Sequence, residues 1–313
     1  MRNIDRYRMA DLPEFPKFAR VNESVRSALE NYTDQHDPYS DFNYVNLVSW
    51  DIAGMAQISQ LHGNVVLSYP DYLDGSGFYT FLGNNRVHDT THQLLETSRR
   101  EHGVKRLRLV PAIGAHLLKD CKEFISIEDH DNHDYVLSLP EVSKADGSSF
   151  RQLRREVKAF QHRHHKNIDF GAINITDHAT KRAMHKVFHD RESKKPHNDH
   201  EPEEQAFERL FDRIPAERLI SFGVRVNEVL SGFIIAEEVG NSWGIGHFWK
   251  ADTQHKGIYR FLMQQTAVEL SLLGMTHFNI EQDLGLPGLK QMKQSFNPIL
   301  TLKKYSVERR SGS

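Results

Sequence analysis

The chain has 313 residues, a length that suits two domains of ordinary size. Hydrophobic residues make up 38% and charged residues 26%, with a net charge of −2, as is usual for a soluble globular protein. No run approaches the roughly 18 apolar residues of a membrane span, the N-terminal sequence lacks the apolar core of a secretory signal, and the single cysteine, Cys121, excludes an intramolecular disulfide and a cysteine-rich zinc site, so the expected compartment is the cytoplasm.

The first half of the chain alternates helical and strand patterns. A helix over residues 17–31 is predicted by apolar residues at helical spacing: Phe18, Val21, Val25 and Leu29. Later patterns predict one more helix, at 89–102, and strands at 61–69, 77–82, 104–110 and 135–139. The polar loop 144–149 is the predicted boundary between an N-terminal domain, 1–145, and a C-terminal domain, 146–313.

The second half begins with helices and continues with strands. Helices are predicted at 150–165, 176–192 and 203–213, and the polar stretch 193–205, with two prolines, is expected to be a mobile loop. The remaining predicted elements are strands at 219–226, 229–237, 243–249, 277–280 and 300–307 and helices at 257–273 and 287–294. This order predicts an α/β fold with mixed sheets.

Nineteen histidines call for a test of metal binding. His185 and His189 are four residues apart on a predicted helix, but the stretch between them lacks the glutamate of a zinc-protease motif. The other close groups, at 162–165 and 197–200, lie in basic or acidic contexts that are typical of loops. The sequence therefore predicts no metal site and no tightly bound cofactor.

A short loop leads from the strand at 243–249 into the helix at 257–273. Helix N-termini carry unpaired N–H groups and partial positive charge, so this turn predicts a site for phosphate or another anion. The candidate residues of this site are Lys256, Gly257, Ile258 and Arg260. A glycine here would allow close approach of a ligand, and it would equally suit an ordinary turn.

Charged residues near the C-terminus form a second candidate group. Glu281 and Asp283 are two residues apart at the end of a predicted strand, so they would point to the same side if the strand continued. The alternatives are that Asp283 caps the next helix and that Glu281 pairs with Lys293. Lys290 and Lys293 share a helix face and could neutralise negative charge on a ligand.

The predicted helix 150–165 carries one basic and one apolar stripe. Its apolar stripe is Leu153, Val157 and Phe160. Its basic stripe consists of Arg151, Arg154, Arg155 and Lys158. That spacing suits contact with a phosphodiester backbone, as in tRNA, and suits an ordinary exposed face equally well.

The segment FNIEQDLGLPGLKQMKQSFNPILTLKKY resembles the signature of the DUF2156 family, which also forms the C-terminal unit of phosphatidylglycerol lysyltransferases. The matching positions are Asn279, Glu281, Asp283, Leu284, Gly285, Gly288, Leu289, Lys293, Ser295, Phe296, Pro298, Lys303, Lys304 and Tyr305. Lys290 stands where arginine is common in the family. The segments DFNYVNLVSW and DYVLSLPEVSKADGSSFRQLRREVKAF give further support, and the resemblance spans about 40–305.

The loop 254–259 resembles the loop that binds the donor's pyrophosphate in GNAT acyltransferases, except that Tyr259 replaces a small residue. This resemblance implies that an acyl donor is bound by Lys256, Gly257, Ile258 and Arg260, together with Lys290 and Lys293. The DUF2156 family is similar to tandem-GNAT proteins and Fem-type aminoacyl transferases. The resemblance therefore implies two tandem GNAT-like acyltransferase domains, with the family motif in the second.

The reaction that the resemblance implies is acyl or aminoacyl transfer to an amine or hydroxyl. Glu281 and Asp283 would be catalytic, binding a donor ammonium or deprotonating the acceptor, and N–H groups of the strand 243–249 would stabilise the oxyanion. The donor is left open between aminoacyl-tRNA and acyl-CoA, and the acceptor between a small molecule, a peptide and a lipid reached by peripheral membrane contact. A non-catalytic binding protein on a degenerate GNAT scaffold is the third alternative.

Overall fold

The structure, a computed structural model, describes residues 11–51, 53–70, 75–192, 201–240 and 242–310. The chain divides into two compact units, one formed by Met1–His133 with Leu302–Ser313 and the other by Asp134–Thr301. Most of the loop predicted at 193–205 and the histidines at 197–200 lie outside the described residues.

The first unit opens with an antiparallel sheet and helices. Its elements are β1 (Ala19–Arg20), α1 (Glu23–Thr33), α2 (Tyr44–Trp50), β2 (Gln57–Leu61), β3 (Asn64–Pro70), β4 (Gly77–Leu82), α3 (Val87–His102), β5 (Arg106–Pro111), α4 (Ala112–Ala115) and β6 (Phe124–Glu128). Strands β1 to β4 form one sheet in chain order. The single strand predicted at 61–69 is instead the end of β2, a tight turn and most of β3. His62 and Gly63 form this turn, with φ values of 54° and 79°.

Helix α1 begins later than the apolar spacing predicts. The Asn22 side chain accepts the Ser24 N–H at 2.9 Å and caps the helix. The prediction of helix over 17–22 is therefore wrong, and Ala19–Arg20 pairs with β2 as a strand instead.

The second unit is built around one mixed sheet. Its elements are β7 (Asp134–Ser138), α5 (Leu139–Lys144), α6 (Arg151–His164), β8 (Ile168–Ala172), α7 (His178–Glu192), α8 (Glu201–Arg213), β9 (Ile220–Val226), β10 (Val229–Val239), β11 (Trp243–Ala251), α9 (Ile258–Leu272), β12 (His277–Asn279), α10 (Pro287–Gln294) and β13 (Leu300–Leu302). The strand order is β13-β7-β12-β11-β10-β9-β8. Strand β12 runs parallel to β11 and antiparallel to β7. The predicted apolar stripe of α6 is confirmed, since Leu153, Val157 and Phe160 are all buried in this unit's core.

The last strand, β14 (Lys304–Arg309), returns to the first unit and lies between β5 and β6 in a three-stranded sheet. The prediction of one strand over 300–307 is therefore wrong: β13 and β14 belong to different sheets. The unit bounds also differ from the predicted domains 1–145 and 146–313, because β7 pairs with β12 of the second unit while β14 pairs with strands of the first.

Candidate functional site

The sheet of the second unit opens where β11 and β12 part. The two strands pair only from Trp243 opposite His277 to Ile245 opposite Asn279, while β11 continues to Ala251. Just beyond that point β11 has a bulge: Gly246 and Phe248 face consecutive residues of β10, and His247 is the extra residue. Ligand sites of α/β sheets collect at such carboxyl ends of parallel strands, so the residues that follow β11 and β12 form the candidate site.

Aromatic side chains pack together beyond the divergence. The ring centroid of Trp249, on β11, lies 5.5 Å from that of Tyr259 and 5.3 Å from that of Phe296. The Arg260 guanidinium lies 4.5 Å from the centre of the Phe296 ring. An aromatic and cationic cluster therefore links β11 with the start of α9 and with the segment that follows α10.

The turn before α9 is held by its own contacts. The N–H groups of Lys256 and Ile258 donate to the carbonyls of Gln254 and His255, at 3.2 and 3.0 Å. The Tyr259 hydroxyl accepts the N–H of Ala251 at 3.1 Å. Three N–H groups near the predicted donor site are thus already hydrogen-bonded within the protein.

Gly257 is required by packing against α6. Its φ is +93°, and a Cβ at this position would lie 2.9 Å from the Glu156 carbonyl oxygen and 3.3 Å from Cβ of Phe160. The space beside Gly257 that was expected to admit a ligand is therefore filled by α6.

The side chains of the other predicted donor residues have different environments. Ile258 is buried in the core, and Lys256 is exposed. Nε of Arg260 lies 3.4 Å from Glu156 Oε2, and only 12% of the Arg260 side chain is exposed. Burial lowers the pKa of Arg260, and Glu156 opposes that shift. Of these residues, Lys256 alone presents a charged side chain to solvent.

Residues 280–286, between β12 and α10, form a loop that we call the motif loop, and it leaves the strand geometry at once. Glu281 has a φ of +60°, so the expectation that Glu281 and Asp283 project from one continuing strand is wrong. The loop is fixed by Asn279, whose amide donates to Asp134 Oδ2 at 3.1 Å and whose oxygen accepts the Glu281 N–H at 2.7 Å. Glu281 itself is half-buried.

Asp283 is fully buried and lies at the centre of this loop. Its Oδ2 accepts the Tyr135 hydroxyl at 2.5 Å, and its Oδ1 accepts the Gly285 N–H at 2.8 Å. These contacts tie the loop to β7 and shape the turn that leads into α10. Asp283 is placed to position its neighbours, while Glu281 is the more accessible of the two predicted carboxylates.

The two predicted lysines of α10 have unequal surroundings. Lys293 is buried, and its ammonium donates to the carbonyls of Ile280 and Gln282, the latter at 2.6 Å. Lys290 is half-buried. Lys293 therefore connects α10 to the backbone of the motif loop.

The basic stripe of α6 also contains one residue with a structural role and three that face solvent. Arg154 donates to the carbonyls of Ala145 and Gly147, the latter at 2.7 Å, and so satisfies the end of α5. The three other members, Arg151, Arg155 and Lys158, are exposed.

Residues outside the predicted set complete the site. Asp134 of β7 accepts from Asn279 at the end of β12, Tyr135 of β7 donates to Asp283 of the motif loop, and the Tyr259 hydroxyl accepts the N–H of Ala251 at the end of β11. Asp134 and Tyr135 are the first two residues of DYVLSLPEVSK, a segment that supports the family resemblance. Their place in that segment is the sequence signal that could have identified them as site residues. The histidine pair on α7 does not share a ligand: His185 lies 3.1 Å from Glu208, and His189 lies 3.4 Å from Glu204.

Solved structures share this fold over nearly the whole chain. A conserved protein of unknown function from Bacteroides thetaiotaomicron VPI-5482 aligns with a TM-score of 0.81 at 20% identity, covering 94% of this chain and 99% of that one. The C-terminal DUF2156 domain of a proposed lysylphosphatidylglycerol synthetase from Agrobacterium fabrum aligns with a TM-score of 0.63 at 13% identity, covering 91% of each. A tandem GNAT protein from the clavulanic acid biosynthesis pathway aligns with a TM-score of 0.50 at 9% identity, covering 95% and 99%. No curated protein sequence matches significantly.

The fold is thus the tandem-GNAT fold. More specifically, the chain belongs to the phosphatidylglycerol lysyltransferase C-terminal family, whose model matches residues 78–308. The resemblance drawn from the C-terminal motif is confirmed. No helix in the described part of the chain combines the length and apolar character needed to cross a bilayer.

Proposed function

We propose that this protein transfers an aminoacyl group from aminoacyl-tRNA to an amine or hydroxyl acceptor. The observation that carries the choice of donor is the turn at 254–260, where a CoA-dependent enzyme would need free N–H groups and space for pyrophosphate. The Cβ direction of Gly257 is filled by α6, and the N–H groups of Lys256 and Ile258 are bonded inside the turn. An aminoacyl-tRNA donor does not require the binding of pyrophosphate at this turn.

The exposed cations of α6 support the same donor. Arg151, Arg155 and Lys158 lie on one helix in the unit that carries the motif loop. Cations at this spacing match successive backbone phosphates and would hold tRNA mainly by charge, releasing counterions on binding. Acyl-CoA carries few phosphates and would use this stripe poorly.

In the proposed reaction the acceptor nitrogen or oxygen attacks the carbonyl carbon of the aminoacyl ester. The new bond forms as the ester C–O bond breaks, and the acceptor proton ends on the ribose hydroxyl that leaves. Glu281, half-buried at the end of β12, is the proposed base that carries this proton. Asp283 and Lys293 hold the loop in which Glu281 lies.

A lipid hydroxyl is the acceptor class that the family's name favours. Apolar side chains near the motif loop are unusually exposed: Leu286 at 51%, Ile299 at 43% and Leu300 at 39%. Such side chains suit peripheral contact with a lipid surface. Phosphatidylglycerol vesicles are therefore the first acceptor to test, followed by small amines and peptides.

The donor is tested by filter binding of a charged tRNA pool across a salt series. We expect affinity to fall with salt, and the triple variant R151Q/R155Q/K158Q to reduce the slope of log K against log salt by about 2 to 3. The matched control is R99Q/K105Q/R106Q, which removes the same charge from exposed positions of the first unit. Absence of salt-dependent binding, or thermal stabilisation by acetyl-CoA, would reject the tRNA donor.

Catalysis is tested with labelled aminoacyl-tRNA and each acceptor. We expect Glu281→Gln to slow transfer while leaving tRNA binding unchanged. Glu228→Gln, an exposed change of the same kind in the β9–β10 turn, should retain full activity. Equal activity of the Glu281→Gln variant and the wild type would remove Glu281 from the mechanism.

A further inference from the structure

Three metal-ligating side chains converge at the end of β6 in the first unit. Glu128 ends the strand, His130 follows in a short 3-10 helix, and His133 comes directly after that helix. One ligand atom from each lies within 4.8 Å of the others. We call these three residues the Glu128 cluster.

His133 is the member that points to a ligand. Only 7% of its side chain is exposed, and its Nε2 makes no hydrogen bond. That nitrogen lies 3.7 Å from Glu128 Oε1, a distance too long for a hydrogen bond. A buried imidazole nitrogen without a hydrogen bond is costly, and binding a cation at this point would satisfy it.

The spacing of the donor atoms fits a small divalent ion. His130 Nδ1 lies 3.6 Å from the same Glu128 oxygen. Tetrahedral zinc with bonds of about 2.0–2.2 Å separates its ligand atoms by about 3.3–3.5 Å. Both oxygen-to-nitrogen separations, 3.6 and 3.7 Å, therefore lie within a few tenths of an ångström of the spacing between neighbouring ligand atoms of zinc, and the two histidine nitrogens lie within 4.8 Å of each other.

The Glu128 carboxylate already has a cationic partner. Lys303 lies 2.9 Å from Glu128 Oε1. Its ammonium is the cation that a metal would have to displace, and 47% exposure of the Lys303 side chain leaves it free to move into solvent.

We propose that Glu128, His130 and His133 bind one divalent ion of the zinc class, with Lys303 as the competing cation. Two imidazoles and a carboxylate favour zinc or cobalt over calcium or magnesium. Three protein ligands leave one position for water. The bound ion would clip the connection between β6 and β7 and stabilise the first unit.

The test uses full-length protein stripped of metal with a chelator and then titrated with Co²⁺ and Zn²⁺. We expect one equivalent of Co²⁺ with the visible absorption of a tetrahedral site, and a rise in Tm with Zn²⁺. His130→Ala, at a position with 71% side-chain exposure, should fold normally and weaken binding about tenfold or more. Lys303→Met should tighten binding, because it removes the competing ammonium.

His189→Ala is the matched control, since His189 of α7 is an exposed histidine that lies beside Glu204 of α8. It should bind Co²⁺ as the wild type does. The proposal is overturned if the wild type takes up no stoichiometric tetrahedral Co²⁺. It is equally overturned if His130→Ala and His133→Ala bind as tightly as the control.

Discussion

The hydroxyl of Tyr135 donates a 2.5 Å hydrogen bond to Oδ2 of Asp283, joining β7 to a loop 148 residues further along the chain. Both side chains are buried. The motif carboxylate is thereby held in place and serves to position the loop around Glu281.

Tyr135→Phe should destabilise the protein by about 1–3 kcal/mol, because the buried Asp283 oxygen loses its donor. Urea unfolding measures the change. The control is Tyr44→Phe, whose hydroxyl reaches the largely exposed Glu23 at 3.3 Å and should matter less. If Asp283→Asn left stability intact but abolished transfer, Asp283 would have a direct chemical role instead.

Lys293→Met should cost about 1–3 kcal/mol, since the carbonyls of Ile280 and Gln282 lose a charged donor. Lys290→Met makes the same change at a half-buried position of α10 and should stay within about 0.5 kcal/mol. Chemical denaturation of both variants measures the two changes in the free energy of unfolding. Equal losses would mean that Lys293 does not hold the loop.

Gly257→Ala and Gly274→Ala form a matched pair, because the two φ values are +93° and +92°. The Gly274 variant meets only backbone strain of about 1–2 kcal/mol, since nothing lies within 4 Å of its new Cβ. The Gly257 variant should lose about 1–3 kcal/mol more from the clash with Glu156. If thermal or urea unfolding showed similar losses of stability for the two variants, α6 would have to shift to make room for the new Cβ at position 257.

The Tyr79–Glu101 pair predicts a pH effect in the first unit. The Tyr79 hydroxyl donates to Glu101 at 2.5 Å and is the main cause that lowers the pKa of Glu101 below its ordinary value of 4.5. A lowered pKa stabilises the fold above pH 4.5, and this stabilisation is lost as pH falls through the folded-state pKa. The stability difference between wild type and Tyr79→Phe should therefore shrink in acid, as urea titrations from pH 7 to 3 would measure. A difference that stays constant over this range would contradict the prediction.

Local signals predicted the elements whose bounds depend on local chemistry. Helix α10 lies at the predicted residues 287–294, with Pro287 in its first turn, where proline's missing N–H costs nothing. The split between β13 and β14 was missed because the strands' partners, Val136 for the residue before β13 and Val110 for Tyr305, lie more than a hundred residues away. Strand identity there is set by distant pairing.

In the candidate site, too, the sequence identified residues but not their tertiary contacts. Sequence reasoning found Glu281, Asp283 and Lys293 through the family motif, yet could not tell a buried residue from an accessible one. Gly257 and Arg260 looked like ligand contacts because their packing partner, Glu156, comes from a separate helix. Only the tertiary contacts distinguish a turn that binds a ligand from one packed against its neighbour.

The placement of β14 also governs the order of events during synthesis. Strands β5 and β6 pair with β14 on either side. A ribosome releases every residue of the second unit before it releases β14, so that unit can fold while the three-stranded sheet of the first still lacks its middle member. The nascent first unit must therefore remain unaggregated, with one edge of β5 and one edge of β6 unpaired, until β14 has left the ribosome.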